Sequence, residues 1–390
     1  MSFWEKQPVA VAAAPTTGIA MPKAKQILSA DEVLEQITGE LAGAKIKLDY
    51  RLVQGITEEL DLILEFINAN YVGSGERRLS YSRSLLSYFL HDSLTVVFHM
   101  KGYADRIIGI ICGRRLVLEI SGSDPTNSLD VNFLCLVPRL RSMHLAPYMI
   151  SVLKKASVER FGIAVANYTI GGTIKAPNFG RKQMFHRPIQ IKTLVAAGFF
   201  SVDVEKYTKT YNTFTQGRAA QHIHKWIDRD LAIEMRELAT TYYKTAYDIY
   251  EPLQVERILA SPAFHTFIFR DPEGKLTDFV SFYRLDSVAA DVEGLREGAA
   301  PPMGKGYRNG YLYAIALSDT RYSYIMTIME TVANQVLGLG ILDLLTLSDI
   351  LPVKDYGAFK FMRGTGVLNY YVGNMSIPAI ENRRNGLVTI

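Results

Sequence analysis

The chain has 390 residues, 48% of them hydrophobic and 21% charged, with 43 basic against 39 acidic side chains and a formal charge of +4. That length allows two domains of ordinary size, and that balance belongs to globular proteins, which excludes disordered, collagen-like and coiled-coil classes. The charge excess is too small to imply nucleic acid. The two cysteines, Cys112 and Cys135, lie in apolar runs, which argues against a disulfide framework or a zinc site and for a reducing compartment.

In chain order, Trp4, Glu5, Lys6 and Gln7 stand where a signal peptide needs a basic start, and residues 8–24 are rich in Ala, Pro, Gly and Thr, the composition of an extended arm. No apolar run approaches the length of a membrane span, so the expected location is the cytoplasm. Ser29 and Glu32 have capping-box spacing ahead of a first helix. Ile56, Leu60, Ile63, Leu64 and Ile67 predict one face of a second, and a loop from Tyr71 leads into the short helical stretch LLSYFL. Strands are expected at LTVVFHM near 94, RIIGIICG near 106, RLVLEIS near 115 and VNFLCLV from 131. A helix over Leu145 to Arg160 and the strand IAVANYTI complete a βαβ unit. YLYAIALS near 311, the helical run YSYIMTIMETVANQVLGLG and the strand ILDLLTL repeat that unit. One architecture used twice predicts two similar α/β domains, residues 1–215 and 216–390.

The turns into the two helices differ. The first reads PRLRSMH and the second DTR, with Asp319 beside Arg321. A helix start offers unpaired N–H groups and the positive end of a dipole, so flanking arginines make an anion cradle of the first turn only. The plainer reading leaves Arg139 and Arg141 as a solvated turn. His222 and His224 flank one residue, without cysteine or acid at ligand spacing, and read as a surface pair; no metal is expected.

Phe3-Trp4 with Gln7-Pro8-Val9, NYVGSGE at 70, VNFLC at 131, LRS followed by LAP at 140, NYTIGG at 167, FHRP at 185, TDFVSFYRL at 277 and NYYVGNM at 369 span nearly the whole chain. Together they resemble glycylpeptide N-tetradecanoyltransferases, the N-myristoyltransferase family. The resemblance implies two tandem GNAT-like halves, of the acyl-CoA N-acyltransferase kind, that form one saddle-shaped mixed β-sheet flanked by helices. Myristoyl-CoA would lie on the first half and a peptide with an N-terminal glycine mainly on the second. By similarity the backbone N–H groups of Phe133 and Leu134 form an oxyanion hole for the thioester. One such donor is worth about 3 kcal/mol in a transition state. Cys135 and Leu136 continue the donor site. Arg141, Ser142, Met143, His144, Leu145, Ala146 and Pro147 would hold the pyrophosphate, and Ser2, Phe3 and Trp4 would close over the nucleotide. Burying about a dozen methylenes at ~0.8 kcal/mol each supplies roughly 10 kcal/mol of gross donor affinity.

The same resemblance makes the carboxylate of Ile390 the general base and Thr169 the amine ligand, with Asn132 nearby. An ammonium of pKa about 8 and a carboxylate of about 3.5 are mismatched by about 6 kcal/mol, so burial must narrow the gap. The peptide groove would use Tyr71, Val72, Tyr81, Phe185, His186, Ser281, Tyr311 and Gly364. Several positions depart from the family pattern. Met143 and His144 replace a Lys-Arg pair, an acidic loop reads Gly73, Ser74, Gly75 and Glu76, an aspartate of the late glycine turn is Thr365, and Met184-Phe185 replaces Tyr-Trp. The lost acids predict a weaker preference for a basic residue downstream in the peptide. The family's N-terminal extension is not expected, and a monomer is. The alternatives are the same chemistry on another acyl length or acceptor, or a non-catalytic relative that binds acyl-CoA or lipopeptides.

Overall fold

In the computed structural model, which describes residues 8–12, 23–74, 76–120, 123–212, 214, 217–226, 228–243, 245–247, 252–292 and 295–378, both halves of the chain build one large sheet. Its strands are β1 Asp49–Gln54, β2 Ser93–Met100, β3 Tyr103–Ile120, β4 Thr126–Leu136, β5 Val165–Ile170, β6 Gly180–Pro188, β7 Gln221–Ile223, β8 Phe264–Arg270, β9 Leu276–Arg284, β10 Asn309–Ala316, β11 Leu344–Ser348 and β12 Met362–Gly373. Across the sheet they run β7-β8-β9-β10-β11-β6-β12-β5-β4-β3-β2-β1, and Thr245–Tyr247 pairs with β3 as a thirteenth strand. Two neighbouring pairs are parallel, β4 with β5 and β10 with β11, and each is joined by a crossover helix, the βαβ repeat expected from the sequence. At the centre the halves exchange strands. β6 leaves the first half to pair with β11, and β12 returns from the second half to pair with β5.

The helices that position the site are α1 Ala30–Ala42, α2 Leu60–Asn70, α3 Arg83–Leu90, α4 Ala146–Phe161 and α5 Tyr322–Leu339. Ser29 and Glu32 make the reciprocal capping box at the start of α1. In α4 the apolar positions Met149, Val152, Leu153 and Ala156 pack on Leu94, Val96, Phe98, Ile111 and Leu129 of one sheet face. Each fully buried aliphatic there contributes about 1.5–3 kcal/mol. Gly162 then ends the helix in the left-handed conformation. The opposite face carries Val97, Ile110, Cys112, Phe133 and Cys135, packed in one cluster with α2 and α3 residues. In the second half α5 seals its own side of the sheet with a buried ion pair, Glu330 to Arg187 of β6 at 2.9 Å.

Three expectations need correcting. Ile56 is exposed in the turn before α2, because β1, a strand with few apolar residues, ends just ahead of it. RIIGIICG and RLVLEIS form one 18-residue strand, β3, since β4 pairs along both and carries the ladder through Gly109 and Gly113. His222 and His224 are not a simple surface pair: His222 Nε2 lies 3.2 Å from Nδ1 of the buried His265, and the three rings stack. Burial, with help from neighbouring imidazoles, holds His222 down to about 4 and His265 down to about 3.

Candidate active site

The stretch VNFLC is where β4 stops behaving as a sheet strand. Its parallel pairing with β5 covers Ser128 to Val131 and goes no further. On the other side, Ile110 faces Cys135 and Cys112 faces Asn132, so the single residue Ile111 stands opposite both Phe133 and Leu134. This is a β-bulge, and Phe133 adopts φ 53° to make it. A left-handed conformation costs a non-glycine residue about 1–2 kcal/mol, and it persists only when its surroundings enforce it. The enforcement is visible: the Phe133 ring is buried between Tyr71 and Tyr81, each 5.5 Å away edge-on, with Phe89 behind. Asn132 is fixed separately, donating to buried Asp130, which also takes Asn167 and lies 3.5 Å from Arg114.

The bulge lies beside a cavity of about 600 Å³ lined by Asn70, Tyr71, Leu134, Cys135, Leu136, Arg141, His144, Ala146 and Pro147 among others. An oxygen already marks the spot. The Tyr71 hydroxyl accepts from the Phe133 N–H, which partly offsets the burial that pushes this phenol up to about 12. The turn that follows is a 3₁₀ segment, Pro138–Met143, whose Arg141 is anchored on the Leu136 and Asn70 carbonyls. Two of its five N–H groups are thereby spent, and the rest can meet an anion. His144 is left-handed, Leu145 caps nothing with its side chain, and Pro147 occupies the first turn of α4, which has no N–H to lose there. Ser142, Met143 and His144 are exposed around this start. Burial pushes the Cys135 thiol up to about 11, so it is no ready nucleophile.

The acceptor expectations fall partly on one sheet face. Thr169 of β5 stands opposite Tyr370 of β12, and His186 of β6 stands opposite Thr346, which stands opposite Tyr311. Residues directly opposite in a sheet point the same way. His186 Nδ1 meets Thr346 Oγ1 at 2.8 Å, and Thr346 donates onward to Asn309 at 2.8 Å, so the histidine gives its Nδ1–H and keeps Nε2 open. Burial lowers its pKa. Gly364 is required by this ring: a Cβ there would sit 2.4 Å from His186 Nε2. Burial raises the pKa of Tyr81, with Tyr71, Tyr283 and Tyr311 adding to it, and burial raises that of Tyr283, with Tyr311, Tyr370 and Tyr71 adding to it. A belt of tyrosines therefore runs from the bulge to Thr169.

Other expected residues lie differently. Phe185 points to the opposite face and stacks on Tyr356 at 4.1 Å. Ser281 is fully buried with its hydroxyl 2.9 Å from that of Thr266. Val72 is exposed at the cavity mouth. Ser2, Phe3, Trp4 and Ile390 lie outside the described residues. Thr346, Asn309, Tyr283 and Tyr370 were not anticipated, because their proximity depends on long-range strand pairing. A larger cavity, about 1,100 Å³, opens behind Tyr81 between α2 and Val292, Leu295, Arg296, Glu297 and Gly298. Of its five arginines, Arg83, Arg284 and Arg308 are already ion-paired, and apart from Tyr81 it holds none of these site residues, so the smaller cavity is the candidate site.

A family model described as "Myristoyl-CoA:protein N-myristoyltransferase, N-terminal domain" matches residues 34–178, the segment that contains the bulge and the helix start. Glycylpeptide N-tetradecanoyltransferase 2 of Bos taurus is 25% identical over 99% of this chain and 76% of its own length, and the enzyme of Kluyveromyces lactis is 25% identical over 81% and 74%. The chain is thus similar to N-myristoyltransferases over most of its length. A crystal structure titled as Saccharomyces cerevisiae N-myristoyltransferase with bound myristoyl-CoA shares the fold, with a TM-score of 0.74 at 18% identity over 100% of this chain and 94% of that one. The N-myristoyltransferase fold is thus present in full, mixed α/β around one central sheet. Among the described residues no helix is long and apolar enough to cross a membrane, and no group of histidine, cysteine and acid side chains could hold a metal ion.

Proposed function

We propose that this protein is an N-myristoyltransferase that moves the myristoyl group of myristoyl-CoA to the N-terminal glycine amine of peptides and proteins, by direct attack with both substrates held at once. The observation that carries the reading is the left-handed bulge at Phe133, next to a cavity that Leu134, Cys135 and the uncapped start of α4 line together. The N–H groups of Phe133 and Leu134 serve the thioester oxygen, where negative charge develops as the nitrogen attacks. The α4 start, with Arg141, Ser142 and the main chain from Met143 to Pro147, serves the pyrophosphate, and Ser2, Phe3 and Trp4 close over the nucleotide end. Thr169 holds the amine, and the carboxylate of Ile390 receives its proton. Tyr81, His186, Tyr311 and Gly364 line the peptide path, with Val72 at its mouth.

On this reading residues 1–215 carry the donor site and residues 216–390 most of the acceptor site. The protein works as a cytoplasmic monomer without nucleic acid. The test is a mass-spectrometric assay with synthetic peptides beginning in glycine and acyl-CoAs of graded length. The expected product is the peptide carrying one myristoyl group at its N-terminus. Neighbouring chain lengths should be used less well by a factor set by ~1–3 kcal/mol per methylene. Paired peptides that differ only in a downstream lysine should give nearly equal kcat/KM, because the acids that would meet it are absent at Gly73, Ser74 and Thr365. Absence of transfer with intact acyl-CoA binding would make the chain a binding protein instead.

A further inference from the structure

We propose that Lys182 is the sink for the proton that the acceptor glycine sheds before it attacks the thioester, reached directly or through the carboxylate proposed at Ile390. The inference rests on the myristoyl-transfer reading above and adds a residue to it. Lys182 is 1% exposed in the middle of β6, a place where a lysine is rarely found without a task. Its neighbour across the strand is Leu368, two residues from Tyr370, and Tyr370 in turn stands opposite Thr169. Register therefore puts Lys182, Tyr370 and Thr169 on one face, the face that also carries His186 and Tyr311. The Lys182 Nζ lies 4.8 Å from the centre of the Tyr370 ring, so the amine leans over the strand that separates it from Thr169.

The electrostatics of this place suit a proton acceptor. Burial disfavours the charged amine, Asp349 beyond the end of β11 partly restores it, and the balance brings Lys182 down to about 7. The ring face of Tyr370 also favours the ammonium. His186 shares the face, and burial keeps it neutral near pH 7. A glycine ammonium near 8 gives its proton to such an amine at a cost of about 1.4 kcal/mol, where an unperturbed carboxylate would require about 6. The sequence of transfers balances. The substrate ammonium becomes a neutral amine as Lys182 becomes an ammonium; the amine nitrogen bonds the thioester carbon, the carbon–sulfur bond breaks, and the thiolate leaves with the second proton of that nitrogen. Lys182 returns its proton to solvent after product departs.

The experiment compares the wild type with Lys182→Met and Lys182→Arg, reading myristoyl-CoA affinity and the pH profile of kcat/KM for a glycine peptide. Both variants should keep donor affinity and lose roughly 100-fold in kcat/KM at pH 7, since arginine keeps the charge but cannot accept a proton. The low-pH limb, near 7 in the wild type, should move up by about one unit toward the amine's own value. Undiminished turnover in Lys182→Met, or full rescue by Lys182→Arg, overturns the proposal while leaving myristoyl transfer in place. A wild type that transfers no acyl group overturns both. Should the variants fail to fold, NMR titration of lysine side chains labelled at Cε in the wild type decides: one lysine should titrate near pH 7, and none doing so below pH 9 overturns the assignment.

Discussion

At the turn from β4 into α4 the parallel strands part after four register pairs and Phe133 turns left-handed; α4, like α5, begins without a side-chain cap. At the matching turn from β10 into α5 the strands part after three pairs, and β10 carries an extra residue, Tyr313, opposite β9. There the chain supplies its own anion. Fully buried Asp278 accepts from the main chain and hydroxyl of Ser318 and from Tyr324, and it pairs with Arg218 at 2.9 Å. Asp319 accepts from Arg321 at the start of α5. On the function proposed above, the difference teaches how a repeated architecture acquires a single site: one copy fills its turn with a carboxylate and becomes structure, and the other leaves its turn open for the pyrophosphate.

That contrast can be broken from either side. The largest effect is expected from Asp278→Ala, which strips partners from the half-buried Arg218 guanidinium, a main-chain N–H and two hydroxyls. Denaturant unfolding should show a loss of about 3 kcal/mol, with the acyl-CoA affinity of the remaining folded protein unchanged. Next comes Phe133→Val. A β-branched residue resists φ near +53°, so the bulge should relax toward a regular ladder and withdraw its donors. The expected fall in kcat is about 100-fold, equivalent to about 2.7 kcal/mol, with myristoyl-CoA still bound. Phe133→Gly sharpens the point, because glycine tolerates the backbone while losing the ring; it should retain more turnover than valine but unfold more easily. The smallest effect separates the two turns. Arg141→Ala should weaken myristoyl-CoA about tenfold, and less so at high salt, whereas Arg321→Ala should leave Kd untouched in a titration of both variants.

Much of the fold was legible before any coordinates. Ser29 and Glu32 announced α1 through local capping, and the two βαβ units were visible because apolar strands and amphipathic helices carry their own periods. The end of the strand run after Val137 was visible too, as strand formers that lead into arginines and a proline, whereas the opening at Phe133 came only from the family resemblance. What stayed hidden was set by pairing between residues far apart in sequence. Lys182 reads as one more charge in RKQ until register puts it beside Tyr370, and Thr346 and Asn309 become partners of His186 and Tyr311 only when β6, β10 and β11 lie side by side. Phe185 shows the same limit in reverse. Its place in the FHRP motif made it a groove residue, and strand alternation turned it away to Tyr356.

The exchange of β6 and β12 has a consequence for how the molecule comes into being. A ribosome that has delivered residues through β6 has made a strand whose neighbours on both sides, β11 and β12, are still unsynthesised, so the middle of the sheet must wait for the far end of the chain. Such late, distant pairings slow folding and leave open edges in the interim. Cutting between the halves should give two fragments that each lack the strand to close their own edge and that recover order only when mixed, like the two leaves of a clasp.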